Sequence, residues 1–544
     1  MVRVAAVQFA TGLDVTANLA TCLRMIDSAA GQGAELIVLP EFCNHLSWYE
    51  SREHARRLAC RHGDPFLNAV AGRAARHRAH VKLGVTLARE DGRVTGASLL
   101  YGPDGALLGE ADKQVLMGAE NDHLDPGTAV GPVVATAVGR LGMYACMEGV
   151  ISEITRGLAL RGAQVLLNSL NSFAVDEASL HVPVRAAENR VWVIAANKVG
   201  PLLPADRIEP VAAGLGVPPE WLHGAGESQV VAPDGTVVAR APRAGEAVVV
   251  ADVDVALADD KVRPDGTDVL ASRRPALYRP IAAEPRGRTA PAGAGSVAVA
   301  VVRPGARPGA ATELIRRTAG SGAELIVLPE LCGVTAGEAA RAVRGTTAHV
   351  VLSEIRDRAH DGLLVSAEGV LGRQRKLHPS ARQAGRVTAF GDGLEVFALP
   401  WGRLAIIIGD DTIFPETFRL AALADADVVA APFTPSEPWE LRSGLLERAA
   451  ENRLNVVAAG HDGPEGLAGA ILAAPRDFTL WTAWEGPFTG RISHPIVTPV
   501  KNDDRVVCAD IHPAQAVNRH VSRGTDLVDG RPWRLVGALL EGDR

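Results

Sequence analysis

The sequence predicts an α/β fold that is present twice, and the order of apolar runs along the chain supports the fold class. Short β-rich runs at residues 2–9 and 165–168 alternate with stretches of helical apolar spacing at residues 18–32 and 152–161. Strands that alternate with helices are typical of layered α/β domains. The apolar periodicity fits a barrel and a sandwich equally, and it does not separate the two.

Internal repeats divide the chain into two halves. Three segments occur twice in the same order: GAELIVLPE at 33–41 and 322–330, RAAENR at 185–190 and 448–453, and Gly-Thr-Asp at 266–268 and 524–526. Ordered repeats of this kind predict a tandem duplication. Residues 282–295 are rich in Pro, Gly and Ala, so we interpret them as a linker between a first domain at 1–281 and a second at 296–544.

Composition excludes several classes of protein. The chain has 544 residues, of which 47% are hydrophobic and 22% charged, so it is globular rather than disordered. Its net charge of −7 and the lack of a basic stripe predict no nucleic-acid partner. We find no export signal and no apolar run long enough for a bilayer. The six cysteines include no CxxC pair, which predicts free thiols. Free thiols and the lack of an export signal predict a cytoplasmic location, and the lack of a spanning run predicts no membrane partner.

Cys146 is the first candidate for chemistry. It follows the predicted strand at residues 141–145 and precedes the predicted helix that begins near Ser152. A thiol in this position meets free backbone N–H groups, which favour a thiolate and a developing oxyanion. The alternative is that Cys146 is a small buried apolar side chain, as most lone cysteines are.

Two charged residues accompany the cysteine. Glu41 ends a buried strand, where partial desolvation would raise the pKa of a carboxyl and make it a base, although a helix cap or a salt bridge is the alternative. Lys113 is one of only six lysines and stands 33 residues before Cys146, as Lys376 stands 33 residues before Gly409. The matched spacing predicts a shared role, catalytic or structural.

A Cys, a Glu and a Lys together fit nucleophilic attack on a polarised carbon that is bonded to nitrogen. The Glu would remove the thiol proton and the Lys would stabilise the tetrahedral oxyanion, after which water attacks the thioester. Glu120, in the loop GAENDHLDPG, is a weaker candidate because loop acids are often only solvated. The histidines show no ligand spacing, so we expect no metal and no cofactor.

Taken together, these segments resemble the nitrilase (carbon–nitrogen hydrolase) superfamily across nearly the whole chain. The matching segments are LPE at 39–41, CMEGVISEITRGLALRGAQVLLN from Cys146, RAAENRVWVIAANKVG from Arg185, and RRPALY at 273–278. The resemblance implies two four-layer αββα sandwich domains in tandem. It also implies an enzyme that cleaves non-peptide C–N bonds of small molecules with a Glu-Lys-Cys triad.

The resemblance also implies roles for individual residues. Glu41 would be the general base, Lys113 the lysine that stabilises the oxyanion, and Cys146 the nucleophile. Glu120 stands six residues before a Pro-Gly pair and would position the lysine and the substrate. The backbone N–H of Met147 would complete the oxyanion hole.

The sequence defines the class of substrate less closely than it defines the candidate catalytic residues. We expect Glu148 to contact substrate, and Trp48 and Asn171, from their place in loops, to line the pocket. Members of the family that bind a substrate carboxylate often have an arginine soon after the cysteine, and none follows Cys146 closely. The resemblance therefore disfavours a substrate carboxylate and favours a neutral or cationic amide. Two alternatives stay within the superfamily: a nitrilase that converts a nitrile to an acid, and an acyltransferase that passes the acyl group to an amine.

The second copy differs at the site. It keeps Glu330 and Lys376, but Gly409 stands where the cysteine should be, and the second glutamate maps to Arg386. Without a nucleophile we expect this copy to be inactive and to replace the partner subunit in an internal pseudo-dimer, with or without further homo-oligomers. A third alternative, a binding or scaffold protein without turnover, is disfavoured for the chain because the first copy keeps all four polar positions.

Overall fold

The computed structural model describes residues 1–305, 309–476 and 489–542, and the chain forms two compact units. Unit 1 comprises Met1–Asp260, Asp477–Ile492 and His520–Leu539, and unit 2 comprises Lys261–Arg476, Ser493–Arg519 and Leu540–Arg544. Each unit therefore includes a segment from the other sequence copy. The internal pseudo-dimer stays a prediction.

Unit 1 contains two six-stranded mixed sheets. Their strands are β1 Val2–Gln8, β2 Leu36–Val38, β3 His80–Ala88, β4 Val94–Tyr101, β5 Leu107–Asp112, β6 Val133–Thr136, β7 Gly139–Ala145, β8 Val165–Ser169, β9 Trp192–Ala196, β12 Gln229–Val231, β13 Val237–Arg240 and β14 Ala247–Val253, with a hairpin of β10 Val199–Pro201 and β11 His223–Ala225. The first sheet has the order β14-β1-β2-β3-β4-β5 and the second β13-β12-β9-β8-β7-β6.

Helices cover both outer faces of the two sheets of unit 1. They are α1 Val15–Gly31, α2 Arg52–Leu58, α3 Pro65–His77, α4 Glu120–His123, α5 Ser152–Leu160, α6 Val182–Asn189 and α7 Ala205–Leu215. Ile26 of α1 lies in the same buried cluster as Val7 of the first sheet, and Leu158 of α5 lies in the same cluster as Val193 of the second. The sheets bury a third apolar layer between them, which confirms the predicted αββα sandwich.

Unit 2 repeats this architecture. Its strands are β15 Val297–Val302, β16 Leu325–Val327, β17 His349–Arg356, β18 Ala359–Ser366, β19 Gly369–Arg375, β20 Val396–Leu399, β21 Gly402–Ile406, β22 Val428–Phe433, β23 Asn455–Gly460, β24 Leu467–Ala473, β25 Ile496–Lys501 and β26 Val506–Ile511. Its helices are α8 Ala310–Gly320, α9 Ala336–Ala342, α10 Pro415–Leu423 and α11 Leu445–Asn452. The sheets have the orders β19-β18-β17-β16-β15-β26 and β20-β21-β22-β23-β24-β25, with an apolar core between them.

The C-terminal segment returns to unit 1. It forms a small hairpin of β27 His520–Ser522 and β28 Thr525–Asp526. Val521 and Leu527 are buried in the same core cluster as Leu158 and Val193, which explains why this segment belongs to unit 1. In the part of the chain that the structure describes, no helix is both long enough and apolar enough to cross a bilayer.

Candidate active site

The candidate residues of unit 1 follow strands that end at the same edge of the sandwich. Ala145, the last residue of β7, pairs in parallel with Ser169, the last residue of β8, and Cys146 follows directly. Glu41 follows β2 of the opposite sheet, and its backbone N–H donates to the carbonyl of Leu170 over 3.2 Å. This hydrogen bond brings the strand ends of the two sheets together around the candidate nucleophile.

The backbone at the site is bent into an unusual conformation. Cys146 has φ 49° and Phe42, the residue after Glu41, has φ 50°. A left-handed conformation in a residue other than glycine costs about 1–3 kcal/mol and persists only where the surroundings enforce it. At Cys146 one such restraint is a 3.1 Å hydrogen bond from its N–H to Oδ1 of Asn168. The side chains of Glu41 and Cys146 are thus aimed by strained turns.

Lys113 joins two carboxylates in the buried part of the site. Its Nζ lies 2.9 Å from Oε1 of Glu41 and 2.8 Å from Oε2 of Glu120. The Lys113 side chain has no exposed area and that of Glu41 only 3%. In the residues that the structure describes, neither carboxylate oxygen of Glu41 accepts a well-aligned hydrogen bond, so this carboxylate retains lone pairs for another proton.

The charges of the site set its protonation states. Burial raises the pKa of the Cys146 thiol and the Glu41 carboxylate raises it further, while Lys113 lowers it, so the resting thiol is neutral. Burial also raises the pKa of Glu41. Burial lowers the pKa of Lys113, but Glu120 and Glu41 raise it by more, so the ammonium stays charged. A neutral thiol that feels the charge of a carboxylate of raised basicity is the arrangement that base-assisted attack needs.

Glu148 is held by two backbone N–H groups. Its Oε1 accepts from the N–H of Gln114 over 2.6 Å and its Oε2 from the N–H of Ala145 over 2.7 Å. Both oxygens are thus held by the backbone beside Lys113 and Cys146, so Glu148 ties these two segments together. Burial raises the pKa of Glu148 to about 7, although the two N–H groups oppose the shift. The expected contact of Glu148 with substrate stays a prediction.

Met147, Asn171 and Trp48 stay predictions as contacts of the substrate, and the structure shows their local surroundings. Met147 is buried at the start of the 3₁₀ helix Cys146–Gly149, where the first N–H groups have no acceptor within the helix. Asn171 follows the end of β8, and its Oδ1 is buried without a hydrogen-bond partner among the residues that the structure describes. Trp48 is half-buried in the loop after Glu41.

Two buried lysines were missing from the sequence-based site. Lys82 Nζ donates to Ser169 Oγ, and Lys198 Nζ donates to the carbonyl of Phe42 over 3.2 Å. Burial lowers the pKa of Lys82 to about 7 and that of Lys198 to about 8, while the charge of Glu41 acts against both shifts. The scarcity of lysine, which pointed to Lys113, was a signal for these two residues as well.

In the corresponding cluster of unit 2, Glu330 and Lys376 are hydrogen-bonded to other side chains of the same unit. Glu330 Oε1 accepts from Gln383 Nε2 over 2.9 Å, and its Oε2 accepts from Thr434 Oγ1 over 2.7 Å. The ammonium of Lys376 donates to Ser380 Oγ, Gln383 Oε1 and Asp410 Oδ2 over 3.0, 3.0 and 3.1 Å. Lys376 therefore pairs with Asp410, whereas Lys113 pairs with the base candidate of its own unit.

Backbone geometry identifies the counterparts in unit 2. Gly409 has φ 56° and Leu331, after Glu330, has φ 51°, as Cys146 and Phe42 have in unit 1. The alignment of the second glutamate with Arg386 is wrong, because Gln383 holds Lys376 and lies seven residues after it, as Glu120 lies after Lys113. Arg386 itself is exposed.

The sequence is similar to several known proteins. The sequence profile of the carbon–nitrogen hydrolase family matches residues 3–261 and 357–472. A nitrilase of Pyrococcus abyssi is 28% identical over 280 residues, which are 51% of this chain and 99% of that protein. An N-carbamoylputrescine amidase of Solanum lycopersicum is 26% identical over 51% of this chain and 94% of its own. A crystal structure of an amidase from Nesterenkonia sp. AN1, with acrylamide added to its active-site cysteine, covers 48% of this chain and 96% of its own at 22% identity and TM-score 0.39.

Proposed function

This chain belongs to the carbon–nitrogen hydrolase family and is an amidase-like enzyme, and we propose that unit 1 hydrolyses a small amide through a thioester on Cys146. The observation behind the assignment is the buried ion cluster, in which Lys113 Nζ lies 2.9 Å from Glu41 and 2.8 Å from Glu120. Glu41 is the general base, Lys113 stabilises the oxyanion, and Glu120 positions the lysine.

The reaction begins with the neutral thiol. Cys146 Sγ attacks the amide carbon as its proton passes to Glu41, and the carbonyl oxygen becomes an oxyanion beside Lys113 and the N–H of Met147. The tetrahedral intermediate collapses as Glu41 returns the proton to the leaving nitrogen, which leaves the acyl group on sulfur. Water then attacks the thioester as Glu41 takes its proton, the C–S bond breaks to release the acid, and Glu41 returns the proton to the sulfur of Cys146.

Two polar side chains support the choice of substrate class. The first arginine after Cys146 is Arg156, whose guanidinium is buried and donates to the carbonyl of Glu188 over 3.0 Å. This guanidinium therefore has a structural role, and we do not expect it to bind a substrate carboxylate. The buried Oδ1 of Asn171 is an acceptor that suits a substrate N–H. We propose a neutral or cationic amide, a class that includes the carbamoyl amine named for the Solanum relative.

Unit 2 is proposed to have no hydrolytic activity. Gly409 has no side chain to attack an amide, and Glu330 and Lys376 are engaged in hydrogen bonds within the unit. Glu330→Gln is therefore the matched control for Glu41→Gln, because each removes the charge of the glutamate at the same place in its unit.

The test is ammonia release by the full chain from a panel of neutral, cationic and anionic amides. Cys146→Ala and Glu41→Gln should abolish release, and Glu330→Gln should leave it unchanged. Intact-protein mass of the wild-type chain after rapid quenching should show the acyl group on Cys146. Full activity of Cys146→Ala would refute the assignment. Nitrile turnover instead of amide turnover would favour the nitrilase alternative, and an amine-dependent product formed instead of the free acid would favour the acyltransferase.

A further inference from the structure

The repeated Gly-Thr-Asp tripeptide has no part in the chemistry described above. Its second occurrence, at residues 524–526, forms the turn and strand β28 of the C-terminal hairpin and belongs to unit 1. Ser522 and Thr525 of this hairpin are polar residues with at most 1% exposure. Buried hydroxyls need hydrogen-bond partners, so their contacts identify what the hairpin holds.

Those contacts lie on the loop that leads to Glu120. Thr525 Oγ1 donates to the carbonyl of Leu116 over 2.8 Å, and Ser522 Oγ accepts from the N–H of Gly118 over 2.9 Å. The two hydroxyls are joined, since Ser522 Oγ donates to Thr525 Oγ1 over 3.1 Å. The chain of hydrogen bonds therefore restrains the backbone on either side of Met117.

The restrained backbone is the one that holds the acid. Glu120 Oε2 accepts from the N–H of Met117 over 3.0 Å, while its Oε1 accepts from Lys113 Nζ over 2.9 Å. Leu116 and Gly118 flank Met117 directly. A shift of this loop would move Met117, then the Glu120 carboxylate, and then the ammonium that it holds.

We propose that Ser522 and Thr525 are positioning residues for Glu120 and Lys113, so that the C-terminal end of the second sequence copy is required for catalysis in unit 1. The inference rests on the proposed function of Cys146, Glu41 and Lys113. It assigns to the second copy a contribution to turnover that does not depend on a nucleophile of its own.

Unit 2 offers a matched control. There Thr267, from the first Gly-Thr-Asp, accepts through Oγ1 from the N–H of Ala381 over 3.0 Å. Ala381 stands five residues after Lys376, as Gly118 stands five residues after Lys113. Thr267 is also buried, at 1% exposure. Thr267→Val therefore removes a comparable buried hydroxyl from the unit that has no nucleophile.

The experiment compares Thr525→Val, Ser522→Ala and Thr267→Val in the full chain, with Thr525→Ser as the conservative variant. We expect Thr525→Val and Ser522→Ala to lower kcat about tenfold, equivalent to about 1.4 kcal/mol, with a smaller change in KM. The pH profile of kcat/KM should shift because the charges around Lys113 and Glu41 move. Thr525→Ser should restore kcat, and Thr267→Val should match wild type in kcat.

Unfolding of each variant is measured in parallel. A fall in kcat in Thr525→Val at the same unfolding midpoint as Thr267→Val supports positioning. Equal kcat in these two variants, or no rescue by Thr525→Ser, would overturn it. A failure of the proposed function is a separate result, since it would appear as activity retained in Cys146→Ala.

Discussion

Gly409 lies so close to Glu330 that a Cβ on this glycine would be 2.6 Å from Oε1 of the carboxylate. Real Cβ atoms do not approach other heavy atoms to this distance, so a side chain here requires Glu330 to move. The glutamate is held by Gln383 and Thr434. The loss of the nucleophile in unit 2 is thus accompanied by repacking of the space beside it.

Restoring a cysteine in unit 2 should not create a second active site. In the background Cys146→Ala, we expect Gly409→Cys to give no ammonia release from amides that the wild type hydrolyses, and to lower the free energy of unfolding by about 1–3 kcal/mol through overpacking. Activity above that of Cys146→Ala alone would show that Glu330 can still serve a nucleophile.

The pH dependence of turnover should follow the ionisation of the Glu41 carboxyl. Because burial raises its pKa, the carboxyl is protonated at pH values where an ordinary glutamate is ionised, and a protonated Glu41 cannot accept the thiol proton. We expect kcat/KM to fall as pH decreases through a midpoint above 4.5. Glu41→Gln should reduce kcat/KM by roughly 10²- to 10⁴-fold, and Glu330→Gln should leave both the value and the profile unchanged. A midpoint at or below 4.5 would contradict a buried base.

Glu148→Gln should affect both stability and turnover. The amide can accept only one of the two N–H groups that Glu148 accepts from Gln114 and Ala145, and the unsatisfied partner costs about 1–3 kcal/mol. We expect kcat to fall because the segments beside Lys113 and Cys146 separate. The control is Asp411→Asn, since Asp411 accepts from the N–H groups of Leu377 and His378 in unit 2. Equal kcat in the two variants would contradict the role of Glu148 at the site.

The stability difference between wild type and Glu148→Gln should also depend on pH. The folded pKa of about 7 lies above the ordinary 4.5, so between these values the folded protein keeps a proton that the unfolded chain releases. Stability contributed by this group therefore falls as pH rises from about 4.5 to 7. Chemical unfolding at several pH values should show the wild type losing stability relative to the variant over this window. A constant difference would contradict the raised pKa.

Lys82→Met should remove a part of the free energy of unfolding that depends on pH. The pKa of Lys82 is lowered to about 7 in the folded protein from an ordinary 10.5, so between these values the unfolded chain binds a proton that the folded protein does not. The wild type should therefore gain stability from about pH 7 to 10, and the variant should lack this gain. Lys501→Met, at an exposed position, is the control and should keep the wild-type slope. The same slope in Lys82→Met would contradict the shift.

Much of the fold was predictable from local patterns. The strand predicted at 2–9 is Val2–Gln8, and the helix predicted at 152–161 is Ser152–Leu160. The strand is buried along nearly its whole length, so its apolar run is almost continuous, and the helix places Ile154 and Leu158 at helical spacing on a buried face. The edge strand Leu107–Asp112 was missed because most of its residues are exposed or half-buried, which leaves no buried face to produce a pattern.

The sequence alone indicated the duplication, the α/β class, the family resemblance and the four polar positions of the first copy. Repeats, motifs and buried strands produce patterns that can be read directly from the order of residues. Tertiary structure decided the rest. The two N–H groups held by Glu148, the engagement of Lys376 with Gln383 and Asp410, and the return of Thr525 to unit 1 all join groups separated along the chain. Such pairings depend on where strand ends and loops meet in space, which residue order does not encode locally.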